Sequence, residues 1–195
     1  MKTKLLLAAV ALFVVSALSA QEARYEIKSG IIKRTMEMFG QKYETTQYFD
    51  DNGKVEASLF SMDVQGTTTR MHTITKGDVS TMINLDNKTG RKMTMPLKPI
   101  NFLNTTQEMK DQYKLKELEG EETIAGKPCK KYSMEIEMMG QSVSVTSWVW
   151  KGMALKSVSS VGGMTITDEA TEIKENVAVD AANFVVPADV TIEEM

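Results

Sequence analysis

Tyr132-Ser133-Met134-Glu135-Ile136-Glu137-Met138 alternates without a break, apolar side chains at even positions against one Ser and two Glu at odd ones. Successive side chains of an extended chain point to opposite faces, so this stretch predicts a strand with one dry and one wet face. The pattern continues outward. Val143, Val145 and Val149 alternate with Ser144, Thr146, Trp148 and Trp150. Val55, Ala57 and Leu59 oppose Lys54, Glu56 and Ser58, and Val79, Thr81, Ile83 and Leu85 share a face. Tyr25, Ile27, Ser29 and Ile31 do the same against Glu26, Lys28 and Gly30. One-sided alternation is what an antiparallel sheet with a covered face requires.

Turn residues divide these runs. Asn52-Gly53 is a two-residue hairpin signal, because both central positions of the favoured turn need positive φ. Gly77-Asp78, Met139-Gly140, Lys151-Gly152 and Gly162-Gly163 punctuate later strands at roughly ten-residue spacing. About ten strands in meander order are expected, in a mainly β fold. Helical signal is sparse. Pro96 and Pro99 break the alternation, and Thr105-x-x-Glu108 reads as a capping box before Met109, placing a helical insertion within 98–113. Asp180 is positioned to cap a short turn before Phe184.

Composition narrows function mostly by exclusion. The 195 residues are 42% hydrophobic and 25% charged, with net charge −3, ordinary for a globular chain and without the basic excess of a nucleic-acid binder. One His and one Cys leave little material for zinc, disulfides or a His-based triad. No Gly-x-Ser-x-Gly elbow or P-loop occurs, so the chain reads as non-catalytic and without a cofactor. Cys129 reads as a small buried hydrophobe.

The N-terminus carries an address. Lys2 and Lys4 precede eleven apolar residues from Leu5 to Val15, then small residues up to Ala20. The apolar run is too short for a bilayer, which needs about 20 residues, so 1–20 is expected to be a removed signal peptide. The remaining 21–195 then form a single domain, periplasmic or secreted, soluble and not membrane-spanning, with Gln21 where an acylated cysteine would stand.

Fifteen methionines are the oddity. Met36 with Met38, and Met93 with Met95, share strand faces. Such thioether pairs suit Cu(I), with His72 as a further ligand. They equally suit an adaptable apolar surface. Met134, Ile136, Met138, Trp148 and Trp150 are the candidate walls of a hydrophobic pocket; the two indoles are also readable as covered core. Asp50-Asp51-Asn52-Gly53 and Asp86-Asn87-Lys88-Thr89-Gly90 read as turns rather than calcium loops.

Glu121, Ile124-Ala125-Gly126-Lys127-Pro128-Cys129-Lys130-Lys131-Tyr132, Ser147-Trp148-Val149-Trp150-Lys151-Gly152-Met153-Ala154-Leu155-Lys156, Ala170-Thr171-Glu172-Ile173-Lys174 and Phe184-Val185-Val186-Pro187 occur in an order that resembles secreted bacterial families of unassigned function grouped with the periplasmic lipoprotein-carrier (Lol-type) superfamily. The resemblance implies an unclosed β-barrel, a curved antiparallel sheet with one or two short helical segments on its concave side. It also implies a hydrophobic ligand or lipoprotein acyl chains as partner. It carries no site residue over. The expected function is a carrier or binding protein for such a ligand; a Met-based copper protein and a structural module of the cell envelope are the alternatives.

Overall fold

The computed structural model describes residues 22–38, 40–64, 67–94, 99–138 and 141–194; the expected signal peptide and the Met139-Gly140 turn lie outside them. Among the described residues there are twelve strands rather than about ten: β1 (Gly30–Met38), β2 (Gln41–Asp50), β3 (Val55–Val64), β4 (Thr67–Lys76), β5 (Val79–Asn84), β6 (Thr89–Thr94), β7 (Lys116–Ile124), β8 (Lys127–Met138), β9 (Gln141–Trp150), β10 (Met153–Val161), β11 (Met164–Glu175) and β12 (Thr191–Glu194). All belong to one unclosed sheet in the order β12-β6-β5-β4-β3-β2-β1-β11-β10-β9-β8-β7. It is two meanders rather than one. β11 returns to pair antiparallel with β1, and β12 joins β6 in parallel.

Turn chemistry sets the register. Ala125-Gly126, Lys151-Gly152 and Gly162-Gly163 all have positive φ and close two-residue hairpins. Asn52-Gly53 departs from expectation: Asp51, Asn52 and Gly53 all take positive φ in a longer 3-10 turn. Tertiary contacts decide this. Arg24 and Tyr25 N–H donate to the Asn52 carbonyl, and a Cβ on Gly53 would stand 2.5 Å from the Tyr25 ring. Asn84 Oδ1 accepts from the Asp86 and Asn87 N–H, confirming the second acidic stretch as a turn.

The first strand begins later than the alternation implies. Residues 22–29 are irregular, and the buried face of β1 is the even one, Ile32 and Arg34. Tyr25 and Ile27 are buried all the same, folding over the sheet onto Ile32 and Phe49, with the Tyr25 ring edge-on to Phe49 at 5.2 Å.

Following the register identifies two faces. Met134 pairs with Val145, Val145 with Ser159 and Ser159 with Ile166, which shares a face with Asp168, the partner of Met36. Helix α1 (Gln107–Gln112) sits on this face, where Met109, Tyr113 and Leu115 pack against Met134, Ile136 and Val145. Its cap is Thr106, whose Oγ1 accepts from Met109 N–H, one residue beyond the expected Thr105 and without a Glu to complete a box. The 3-10 turn Ala181–Phe184, capped by Asp180 as expected, lies on the opposite face, where Phe184 packs against Ala57, Ile74 and Ile83. The two helical segments therefore cover opposite faces of the sheet.

The outer edges are protected. β7 presents exposed Glu117, Glu119 and Glu121 and is bulged at Gly120, while β12 is four residues long. Charge, a bulge and brevity all discourage further strand addition.

Buried between β4 and the Ala181–Phe184 turn, His72 Nε2 lies 2.9 Å from the Asn183 carbonyl oxygen. Burial holds its pKa below the usual 6.5. The unfolded chain therefore binds the proton more readily, and stability must fall as pH drops through about 6.5 toward the folded-state pKa. We expect a lower urea midpoint at about pH 5.5 than at about pH 7.5, by no more than about 1 kcal/mol, with His72→Gln flattening the slope. An unchanged slope in that variant assigns the effect elsewhere.

Candidate functional site

The five expected pocket residues do not share a wall. Met134 pairs with Val145 whereas Trp148 pairs with Lys131, so the β8 apolar row and the two indoles stand on opposite faces. Met134 and Ile136 are under the 99–115 insertion, with Phe102 against Tyr132 at 5.2 Å, and this part of the face is covered by the chain itself. The Met138 side chain lies outside the described residues. Trp148 is 8% exposed and has Lys131 and Lys156 ammonium groups 5.1 and 4.9 Å from its ring centre; Lys127 and Lys151 flank Trp150 at 4.7 and 4.8 Å. The cations cover the rings and stabilise them in place.

The less covered part of the face that carries α1 lies elsewhere. Met36 opposite Tyr43, Phe60 opposite Met71, Met82 opposite Thr73 and Arg91, and Met93 opposite Ser80 all project from the face that carries α1. Met38 and Met62 extend the same rows. Tyr43 is buried and its ring is 5.6 Å from that of Phe60. The other members are only half-buried, and Met82 is 41% exposed. The result is a contiguous apolar strip across β1–β6, ending in a groove of about 450 Å³ lined by Met71, Met82, Met93, Asn84, Asn87, Thr89, Gly90, Arg91 and Glu193.

One signal in the sequence points to this strip. Met62, Met71, Met82 and Met93 recur at intervals of 9, 11 and 11 residues, close to the hairpin repeat of β3–β6. Each meander turn thus returns a thioether to the same face.

A buried polar network runs beside the strip. Arg34 Nε donates to Asp168 Oδ2 at 2.8 Å, its Nη1 to Gln47 Oε1 at 3.3 Å and its Nη2 to the Ala154 carbonyl at 3.2 Å. Gln47 Nε2 then donates to Glu56 Oε1 at 3.1 Å, and Glu56 also accepts from Arg24 and the Tyr25 hydroxyl. Burial, then the Glu56 carboxylate, pushes the Tyr25 phenol far above its usual pKa, so it stays a donor. The network ties β11, β1, β2 and β3 to the N-terminal segment and fixes the face on which the strip stands.

The remaining candidates separate. Cys129 is fully buried, its thiol pushed up by burial, and six strands lie between β8 and the β4 that carries His72. Met71 and Met93 lie four residues and two strands apart on a diagonal, on the order of 15 Å, too far for one ion to take all three groove thioethers. Met36 and Met38 share a face; Met95 lies outside the described residues. Among the described residues no group of three or more His, Cys, Asp or Glu could hold a metal, and no helix is long and apolar enough to cross a membrane.

No family model matches the chain, and no curated protein matches it. Among solved structures it is similar to an uncharacterized conserved protein from Thermus thermophilus, with TM-score 0.57 and 11% identity over 87% of this chain and 92% of that one. It is also similar to a chain of the Pseudomonas aeruginosa MucA/MucB complex, with TM-score 0.54 and 15% identity over 86% of this chain and 58% of that one. What these likenesses share with the chain is its fold.

Proposed function

We propose that the chain is a non-catalytic, exported binding module whose methionine strip takes up an acyl chain or another flexible apolar ligand. The observation that carries this reading is the strip itself. Partly exposed Met side chains stand on β1 and on β3–β6, beside two aromatic rings, on the part of the α1-bearing face that the chain's own insertion leaves uncovered. Unbranched, polarizable thioethers repack around varied shapes, whereas a sealed core uses branched side chains in fixed rotamers. The signal-like residues 1–20 support a periplasmic or secreted setting. The similar MucA/MucB structure is a protein complex, which makes a lipidated or apolar protein segment a fitting form of the ligand.

Methyl-labelled methionine NMR tests the reading. On titration with myristate, the Met36, Met62, Met71, Met82 and Met93 methyls are expected to shift, while Met134 and Met153, buried in other clusters, stay still. A titration that moves none of the strip methyls, or that moves Met134 first, overturns it.

A further inference from the structure

Met82 is the one exposed methionine among the described side chains. It stands mid-strip on β5, with Met71 and Met93 diagonally on either side and Arg91 directly opposite on β6. The Arg91 guanidinium lines the same groove and is only loosely engaged, its Nε 3.6 Å from a Glu193 carboxylate oxygen.

The geometry points to Met82 as a site of reversible oxidation by peroxide, one that turns the apolar strip polar and releases its ligand. The inference rests on the strip being the binding surface. In the step, a lone pair of the Met82 sulfur attacks one oxygen of hydrogen peroxide. The O–O bond breaks, an S–O bond forms and water leaves with both peroxide protons; sulfur loses two electrons and the peroxide gains them. The sulfoxide oxygen is a strong, neutral acceptor. At a directly opposed cross-strand position it comes within reach of the Arg91 guanidinium, which gives up little in turning from a distant, solvated carboxylate. An apolar ligand lying over the sulfoxide would strip it of water, so oxidation disfavours the occupied form.

The full chain is exposed to hydrogen peroxide, sampled by peptide mass mapping, and assayed for myristate binding. Met82 is expected to oxidise several-fold faster than Met71 and Met93 and well ahead of Met134 and Met153. Myristate affinity is expected to fall several-fold in step with the Met82 sulfoxide and to return after treatment with methionine sulfoxide reductases and a thiol reductant. Met82→Leu, whatever its starting affinity, should lose none of it during the same exposure. Equal oxidation of Met82 and Met134, or undiminished binding by the Met82 sulfoxide, overturns this inference alone. A chain that binds no myristate before oxidation removes the reading on which it rests.

Discussion

Replacing Arg34 with methionine is expected to cost about 3 kcal/mol of folding stability, seen as a lower urea midpoint with an unchanged slope. The side chain is 9% exposed and donates to Asp168, Gln47 and the Ala154 carbonyl at once. Methionine fills much of the same volume but leaves the Asp168 carboxylate facing a dry neighbour. Breaking a fully buried pair from one side costs about 3–5 kcal/mol, and the 22% exposure of Asp168 favours the lower end, since water reaches its outer oxygen. Removing both charges, as Arg34→Met with Asp168→Leu, should recover most of the loss, because no unpaired ion then remains. A loss below about 0.5 kcal/mol in the single variant would mean the pair is solvated and the network is ornamental.

That network also shows where reading the chain as a string of residues runs out. Arg34 looks like one more solvated charge, because its nearest neighbours in sequence are Lys33 and Thr35. Gln47, 13 residues away, meets it when the β1–β2 hairpin closes, but Asp168, 134 residues away, meets it only after β11 has docked on β1. Local alternation could not supply that pairing. It supplied the phases of β3, β5, β8 and β9 correctly: Val55, Ala57 and Leu59 share one face, as do Thr81 and Ile83, Met134 and Ile136, and Val143 and Val145. At Gly30-Ile31-Ile32 it failed: two adjacent isoleucines satisfy either phase, and docking of Tyr25 and Ile27 over the sheet decided for Ile32.

The same distinction explains why the expected pocket residues do not share one face. Alternation shows that Met134 and Ile136 share a face, and that Trp148 and Trp150 share one. Which of these faces coincide depends on the β8–β9 register, and a slip of one residue would exchange them. The helical insertion was legible from Pro96, Pro99 and the threonines before Gln107. That it would land on Met134 and cover that face was not, because its buried members Tyr113 and Leu115 follow the helix rather than form one of its faces.

On the proposed reading, a carboxylate in the strip should sharply weaken myristate binding while leaving the fold intact. Met71 lies opposite Asn84 and Phe60 and is only half-buried, so Met71→Glu keeps its charge in water in the empty protein, and its urea midpoint should move by less than about 0.5 kcal/mol. An apolar chain laid across it must desolvate the charge, whose direct cross-strand neighbours are Phe60 and Asn84 rather than a cation. That penalty is several kcal/mol, so myristate affinity should fall by at least about a hundredfold. Met71→Leu makes the complementary case. It retains apolar volume but loses the thioether, so acyl binding should weaken no more than a few-fold, whereas a Cu(I) site built on this sulfur would lose its ligand outright. Calorimetric titration of both variants with myristate and, separately, with Cu(I) therefore distinguishes an oily surface from a metal site. Unchanged myristate affinity in Met71→Glu would show that the ligand lies off the strip.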